Sequence, residues 1–135
     1  MELMIVVVIG AIVMVFAIPR YFKTLQISLE RQAYEDLTVI WSAVKLYAAI
    51  NGDYPTESLW GTDEINPAFN VNVIPNGDFS YRCGINVSEL GQPYECMILN
   101  SNGGWDLHVM RGHQNGEVHC SGSPTCPTCN PLCPY

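Results

Sequence analysis

Positive charge is scarce in this chain. Six Lys and Arg stand against 13 Asp and Glu across 135 residues, a formal net charge of −7. That shortage argues against a general nucleic-acid-binding surface, which is normally basic. Contact with nucleic acid through a local patch stays open, but nothing indicates it: the cations gather only at Arg20 and Lys23. Catalytic signatures are missing as well. There is no Gly-x-Ser-x-Gly, no phosphate-binding loop and no His-Glu-x-x-His. His108, His113 and His119 fall near expected strands and turns, where structural or solvated histidine is the default. The sequence reads as a non-enzyme with no cofactor. Cysteine is absent before Cys83, and charge is almost absent before Arg20.

What the first 19 residues do hold is an apolar run with a single formal side-chain charge, Glu2. A carboxylate in hydrocarbon costs roughly 2.5–3.5 kcal/mol on insertion scales, and a charge kept in such a setting calls for a partner. A position near a helix N-terminus would favour an acid through the helix dipole, but that leaves the rest of the rod unexplained. From Leu3 to Ile18 there are 16 uncharged residues, short of the ~20 needed for a full membrane span. The segment is a poor secretory signal peptide, since no basic stretch precedes it and no small-residue cleavage site follows. Arg20 and Lys23 suit a cytoplasmic boundary and equally an external lipid interface.

Past Pro19 the pattern turns amphipathic. Phe22, Leu25, Leu29, Ala33, Leu37, Ile40, Val44 and Tyr47 recur at steps of three and four, which predicts a helix with one buried stripe. Asn51-Gly52 closes it, with Pro55 beyond. The whole helix would run for about 50 residues and roughly 75 Å. A domain this small cannot bury such a rod, so its first half must be covered by lipid or by other copies. Gly10 and Pro19 mark the stretch where a kink or local loss of helix costs least; Pro19 also suits a simple bilayer exit.

Residues 53–77, rich in Pro, Asn, Asp and Gly, read as a connecting loop pinned to the core by Leu59 and Trp60. Strands are expected at Phe79–Cys83, Glu95–Leu99, Trp105–Met110 and Val118–Cys120, giving a small antiparallel sheet. The expected fold class is therefore α+β, a long N-terminal helix whose C-terminal half packs on that sheet. The segments divide as 1–23, 24–52, 53–77, 78–120 and 121–135.

Cys83, Cys96, Cys120, Cys126, Cys129 and Cys133 form an even set in a small, loop-rich region, the pattern of a disulfide framework. Cys83 and Cys96 flank one turn and are the expected pair, leaving the other four to pair near the C-terminus. The Pro- and Cys-rich tail then reads as a disulfide-stapled loop. Cys126-Pro-Thr-Cys129 is a lone C-x-x-C. A structural zinc site usually needs two such pairs, so a metal is the weaker reading. Asn86-Val87-Ser88 matches a glycosylation sequon.

The stretch ELMIVVVIGAIVMVFAIPRY, the long amphipathic helix after it and NGDYPT at its end together resemble the type IV pilin and pseudopilin family. The match is specific over the first 21 residues and architectural beyond them. Mature chains of that family open on an aromatic residue a few positions before the glutamate. Here only Met1 precedes Glu2, so a few residues and a leader are expected to lie outside this sequence. The resemblance implies processing by a prepilin peptidase, methylation of the new N-terminus, and storage in the inner membrane with its lipid bilayer. It further implies an inner-membrane assembly platform and packing of identical subunits into a helical filament. Glu2 would neutralise the N-terminal amine of a neighbour, and the Gly10–Pro19 stretch would unwind. Two functions compete: an extracellular pilus for attachment, motility or DNA uptake, and the major pseudopilin of a type II secretion system. The cysteine-rich C-terminus favours the pilus.

Overall fold

The computed structural model describes residues 2–85, 94–102, 104–111 and 118–122; within these, side chains are described except at 2–4, 13–20, 22–23, 26–27 and 121–122. The sequon at Asn86, His113, Cys126, Cys129, Cys133 and the stapled tail lie outside the described residues, as do the side chains of Glu2 and Pro19.

Helix α1 runs unbroken over Glu2–Asn51, 50 residues. Its end is chemically plain. Gly52 takes φ +84, the left-handed region that favours glycine, and its N–H donates to the Ala48 carbonyl at 2.9 Å. This is the glycine stop expected of Asn51-Gly52. The helix is continuous through Gly10 and Pro19, so the single chain does not show the local loss of helix expected there. Unwinding there would free backbone N–H and C=O groups that need other partners.

The loop expected over 53–77 is interrupted by two short elements. It contains β1 (Leu59–Trp60) and α2 (Gly61–Phe69). Trp60 caps α2, and its N–H donates to Glu64 Oε2 at 2.7 Å. Asp63 and Glu64 stand in the first turn, where the helix dipole favours acids. Asn70 closes α2 with φ 52. Asn66 then brackets Val73, donating from Nδ2 to its carbonyl at 2.9 Å and accepting its N–H at 3.0 Å.

Four more strands follow: β2 (Phe79–Ile85), β3 (Tyr94–Asn100), β4 (Trp105–Met110) and β5 (His119–Gly122). The five strands form one antiparallel meander in the order β1-β2-β3-β4-β5. The fold class is α+β. Side chains alternate in and out as pleating requires. Tyr81, Cys83, Cys96, Ile98, Leu107 and Val109 point into the core. On the other face a single row crosses all five strands, Trp60, Arg82, Met97, His108 and His119, each paired with the next. Gly84 is required for packing: a Cβ there would lie 2.6 Å from Ser58 Oγ.

The helical contribution to the same core is Ala33, Leu37, Ile40, Trp41 and Val44, with Ile65 and Phe69 from α2. Each fully buried aliphatic side chain contributes about 1.5–3 kcal/mol relative to exposure. The correction to the expected stripe is that Leu25 is exposed; among described residues of α1, Leu29 is the first to touch the core. Trp60 also departs from expectation. It does not pin a loop to the core but lies 59% exposed, with the Arg82 guanidinium 4.6 Å above its ring. Leu59 does pack against the core.

Candidate functional site

From Ile5 to Ile12, α1 is a bare apolar rod. Ile5, Val6, Val7, Val8 and Ile9 are all exposed, as is Ile12. Successive helical residues are turned by about 100°, so five in a row sample the full circumference and no side of the rod is covered. Val7 reaches 70% exposure. Gly10 lies within this arm, and no atom comes within 4 Å of where a Cβ would stand. A helix apolar all round is normally buried by a membrane or by other protein. Among the described residues no helix is long and apolar enough to cross a membrane.

The second half of α1 has a second uncovered surface, on the side away from the sheet. Thr38, Val39, Ser42, Ala43 and Leu46 line a shallow open trough, with Ala43 at its edge packing partly against the core, and Ile50 is 74% exposed one turn further on. Two of these residues are polar in name only. Thr38 Oγ1 donates to the Tyr34 carbonyl at 2.9 Å and the Glu35 carbonyl at 2.8 Å, and Ser42 Oγ donates to the Thr38 carbonyl at 2.7 Å. Their hydroxyls are turned back on the helix, and methyl and methylene groups face out.

Between arm and trough the helix becomes charged and engages the head. Asp36 accepts a 2.9 Å hydrogen bond from the Tyr81 hydroxyl. Partial burial raises its carboxyl above the ordinary range; the Tyr81 bond pulls the other way and the Glu35 charge adds a smaller upward push. Burial likewise raises Glu30.

Of the residues singled out from sequence, Cys83 and Cys96 are brought together. They are direct cross-strand partners on β2 and β3 and form a disulfide. Cys120 is disulfide-bonded as well. Glu2 begins α1, while Gly10 and Pro19 lie inside it. His108 and His119 stack with ring centroids 5.9 Å apart, and His108 Nδ1 lies 3.5 Å from Asp106 Oδ2. Among the described residues no group of three or more His, Cys, Asp or Glu is placed to hold a metal ion. Sequence reasoning missed the trough. Its signal was the spacing of Val39, Ser42, Leu46 and Ala49, steps of three and four opposite the core stripe. Compared with family models, curated proteins and solved structures, the chain finds no match.

Proposed function

We propose that this chain is a structural subunit that polymerises through its N-terminal helix into an extracellular filament of the type IV pilus kind. The observation that carries the reading is the bare arm from Ile5 to Ile12, apolar on every side and part of one continuous 50-residue helix. Exposed in water, such a surface would drive aggregation; shared among identical rods, it becomes a filament core. The finer fold fits this role: a long helix uncovered from Ile5 to Ile12, joined in its second half to a small disulfide-braced sheet. Before assembly the inner-membrane bilayer holds the arm, and the head lies outside it.

Glu2 supplies register. A carboxylate and a neighbouring subunit's terminal ammonium attract strongly in low dielectric, while each alone is penalised. The pair therefore selects one alignment of rods more than it adds net stability. Attachment, motility or DNA uptake are the uses such a fibre serves.

Electron microscopy of sheared surface fractions tests the proposal. Long filaments of this protein are expected. Retention in the periplasm as short assemblies points instead to the major pseudopilin of a type II secretion system. Glu2→Ala is expected to insert in membranes normally and fail to assemble; normal filaments from that variant remove Glu2 from its role.

A further inference from the structure

We infer that Asn76-Gly77 is a self-modification site, where the Asn76 side-chain amide is converted without an enzyme into aspartate and isoaspartate. The inference stands apart from the filament reading and holds for a single copy of the chain.

Asn-Gly occurs four times, beginning at residues 51, 76, 102 and 115. Glycine carries no Cβ, so its nitrogen is unhindered and can attack the side-chain carbonyl of the asparagine before it. The structure separates the first two pairs. At Asn51-Gly52 the attacking nitrogen is engaged. The Gly52 N–H donates to the Ala48 carbonyl at 2.9 Å, and Asn51 Nδ2 donates to the Tyr47 carbonyl at 2.9 Å. At Asn76-Gly77 the nitrogen is open. Gly77 is exposed, no atom comes within 4 Å of where its Cβ would stand, and its N–H meets no acceptor among the described residues. The carbonyl under attack is prepared as well. Asn76 Oδ1 accepts the Asp78 N–H at 3.2 Å. That bond folds the side chain over Gly77 and puts a donor where negative charge develops during attack. Gly103 and the Asn115-Gly116 pair lie outside the described residues.

The Gly77 nitrogen gives its proton to water and bonds to Asn76 Cγ. The Cγ–Nδ2 bond breaks, and the amide nitrogen leaves as ammonia. Water then opens the five-membered imide at either carbonyl. Breaking the new N–Cγ bond gives aspartate. Breaking the original main-chain bond gives isoaspartate, whose main chain runs through Cγ and is one methylene longer. Either product adds a carboxylate two residues from Asp78. Isoaspartate also takes out of the main chain the carbonyl that accepts the Phe79 N–H at 2.9 Å. The Asn76 backbone further hydrogen-bonds the Tyr81 hydroxyl, which donates to Asp36. Conversion therefore loosens the tie between β2 and α1 as the molecule ages.

The test uses the full chain as a monomer in detergent, incubated in mildly alkaline buffer. Peptide mass spectrometry follows residues 51 and 76, and synthetic peptides spanning the same two pairs set the unfolded rates. Asn76 is expected to exchange its amide for a hydroxyl about as fast as in its peptide, with isoaspartate the larger product. Asn51 should convert on the order of tenfold or more slower than in its peptide, its neighbour's nitrogen being held in the helix stop. Gly77→Ala should slow conversion at Asn76 by on the order of tenfold, because a Cβ hinders the nitrogen. The converted chain should unfold at a lower temperature than the fresh one. Asn76→Gln, whose longer side chain closes the ring poorly, should keep its fresh midpoint through the same incubation. A folded chain that keeps Asn76 intact while its peptide converts, or that loses Asn51 as fast as Asn76, overturns the inference. An unchanged midpoint after conversion overturns the loosening of the β2 tie.

Discussion

The Tyr81 hydroxyl donates a 2.9 Å hydrogen bond to Asp36 Oδ2, joining β2 to α1 between residues 45 apart in sequence. Burial and the adjacent Asp36 carboxylate push the Tyr81 phenol well above its ordinary range, so it remains a proton donor at any working pH. Tyr81→Phe leaves the ring in the core and removes only that bond. A half-exposed hydrogen bond to a charged acceptor contributes about 1–2 kcal/mol. Urea unfolding of the monomeric protein in detergent is expected to show a loss of that size; an unchanged midpoint would mean the bond contributes nothing net.

The same carboxylate gives the head a pH dependence with a definite sign. Burial raises the Asp36 carboxyl above its ordinary value of 3.8, the Tyr81 bond only partly offsetting it, and burial raises Glu30 above its ordinary 4.5. A carboxyl raised in the folded state binds its proton more tightly there than in the unfolded chain. Its contribution is therefore fully favourable below the unfolded value and is lost as pH rises through the folded one. Asp36→Asn keeps an acceptor for Tyr81 without the charge. At neutral pH it should be at least as stable as the parent, and its advantage should vanish below pH 3.8. A variant that loses ground specifically at neutral pH would show the carboxylate to be net stabilising.

Much of this architecture was legible in local chemistry. Asn51-Gly52 marked the end of α1 because a left-handed stop is easiest for glycine, and Gly52 takes that conformation. The alternation at Trp105–Met110 marked β4 because one face meets the core. The sequence misled where local and tertiary demands diverge. Pro67 and the surrounding Asn and Asp made α2 read as loop, although Ile65 and Phe69, four apart, bury themselves on one face. Trp60 looked like a core anchor by size, but pairing with Arg82 in a pleated strand turns it outward while Leu59 points in. The bare arm was readable from its unbroken apolarity. The trough was not, since apolar residues occupy both sides of α1 from Leu37 to Ile50 and only the position of the sheet decides which side is covered.

That division of α1 predicts opposite responses two residues apart. Leu37 is fully buried and Val39 is exposed. Leu37→Ala should destabilise the head by about 2–5 kcal/mol, the range for an aliphatic side chain removed from a packed core. Val39→Ala should stay within about 0.5 kcal/mol, as surface substitutions do. Equal effects in chemical denaturation would place the helix face incorrectly.

The Cys83–Cys96 bridge closes a loop with a sequence separation of 13. Replacing both residues with serine releases the unfolded chain from that constraint, at a cost of about 2–4 kcal/mol. It also leaves two hydroxyls in a fully buried site, which adds to the loss. The double variant should melt earlier than the parent, and reductant should lower the parent's midpoint in the same direction. Intact mass without reductant should fall by about six protons relative to the reduced chain, as three bridges require; free thiols would contradict that count.

The core begins, among described residues, at Leu29, so the arm should be dispensable for folding and indispensable for assembly. A chain starting at Ser28 retains Ala33, Leu37, Ile40, Trp41 and Val44, the whole fully packed helical contribution. It loses the exposed Ile and Val of residues 5–12. Such a chain is expected to remain monomeric at high concentration without detergent, as read by light scattering. It should unfold within a few degrees of the full chain's head, because the buried cluster that holds the head together lies beyond residue 28. Filaments from this shortened chain would show that the heads alone associate and would take the arm out of assembly. Collapse of the head on removal of residues 1–27 would show that the arm stabilises its own subunit, so that its apolar surface is not reserved for neighbours.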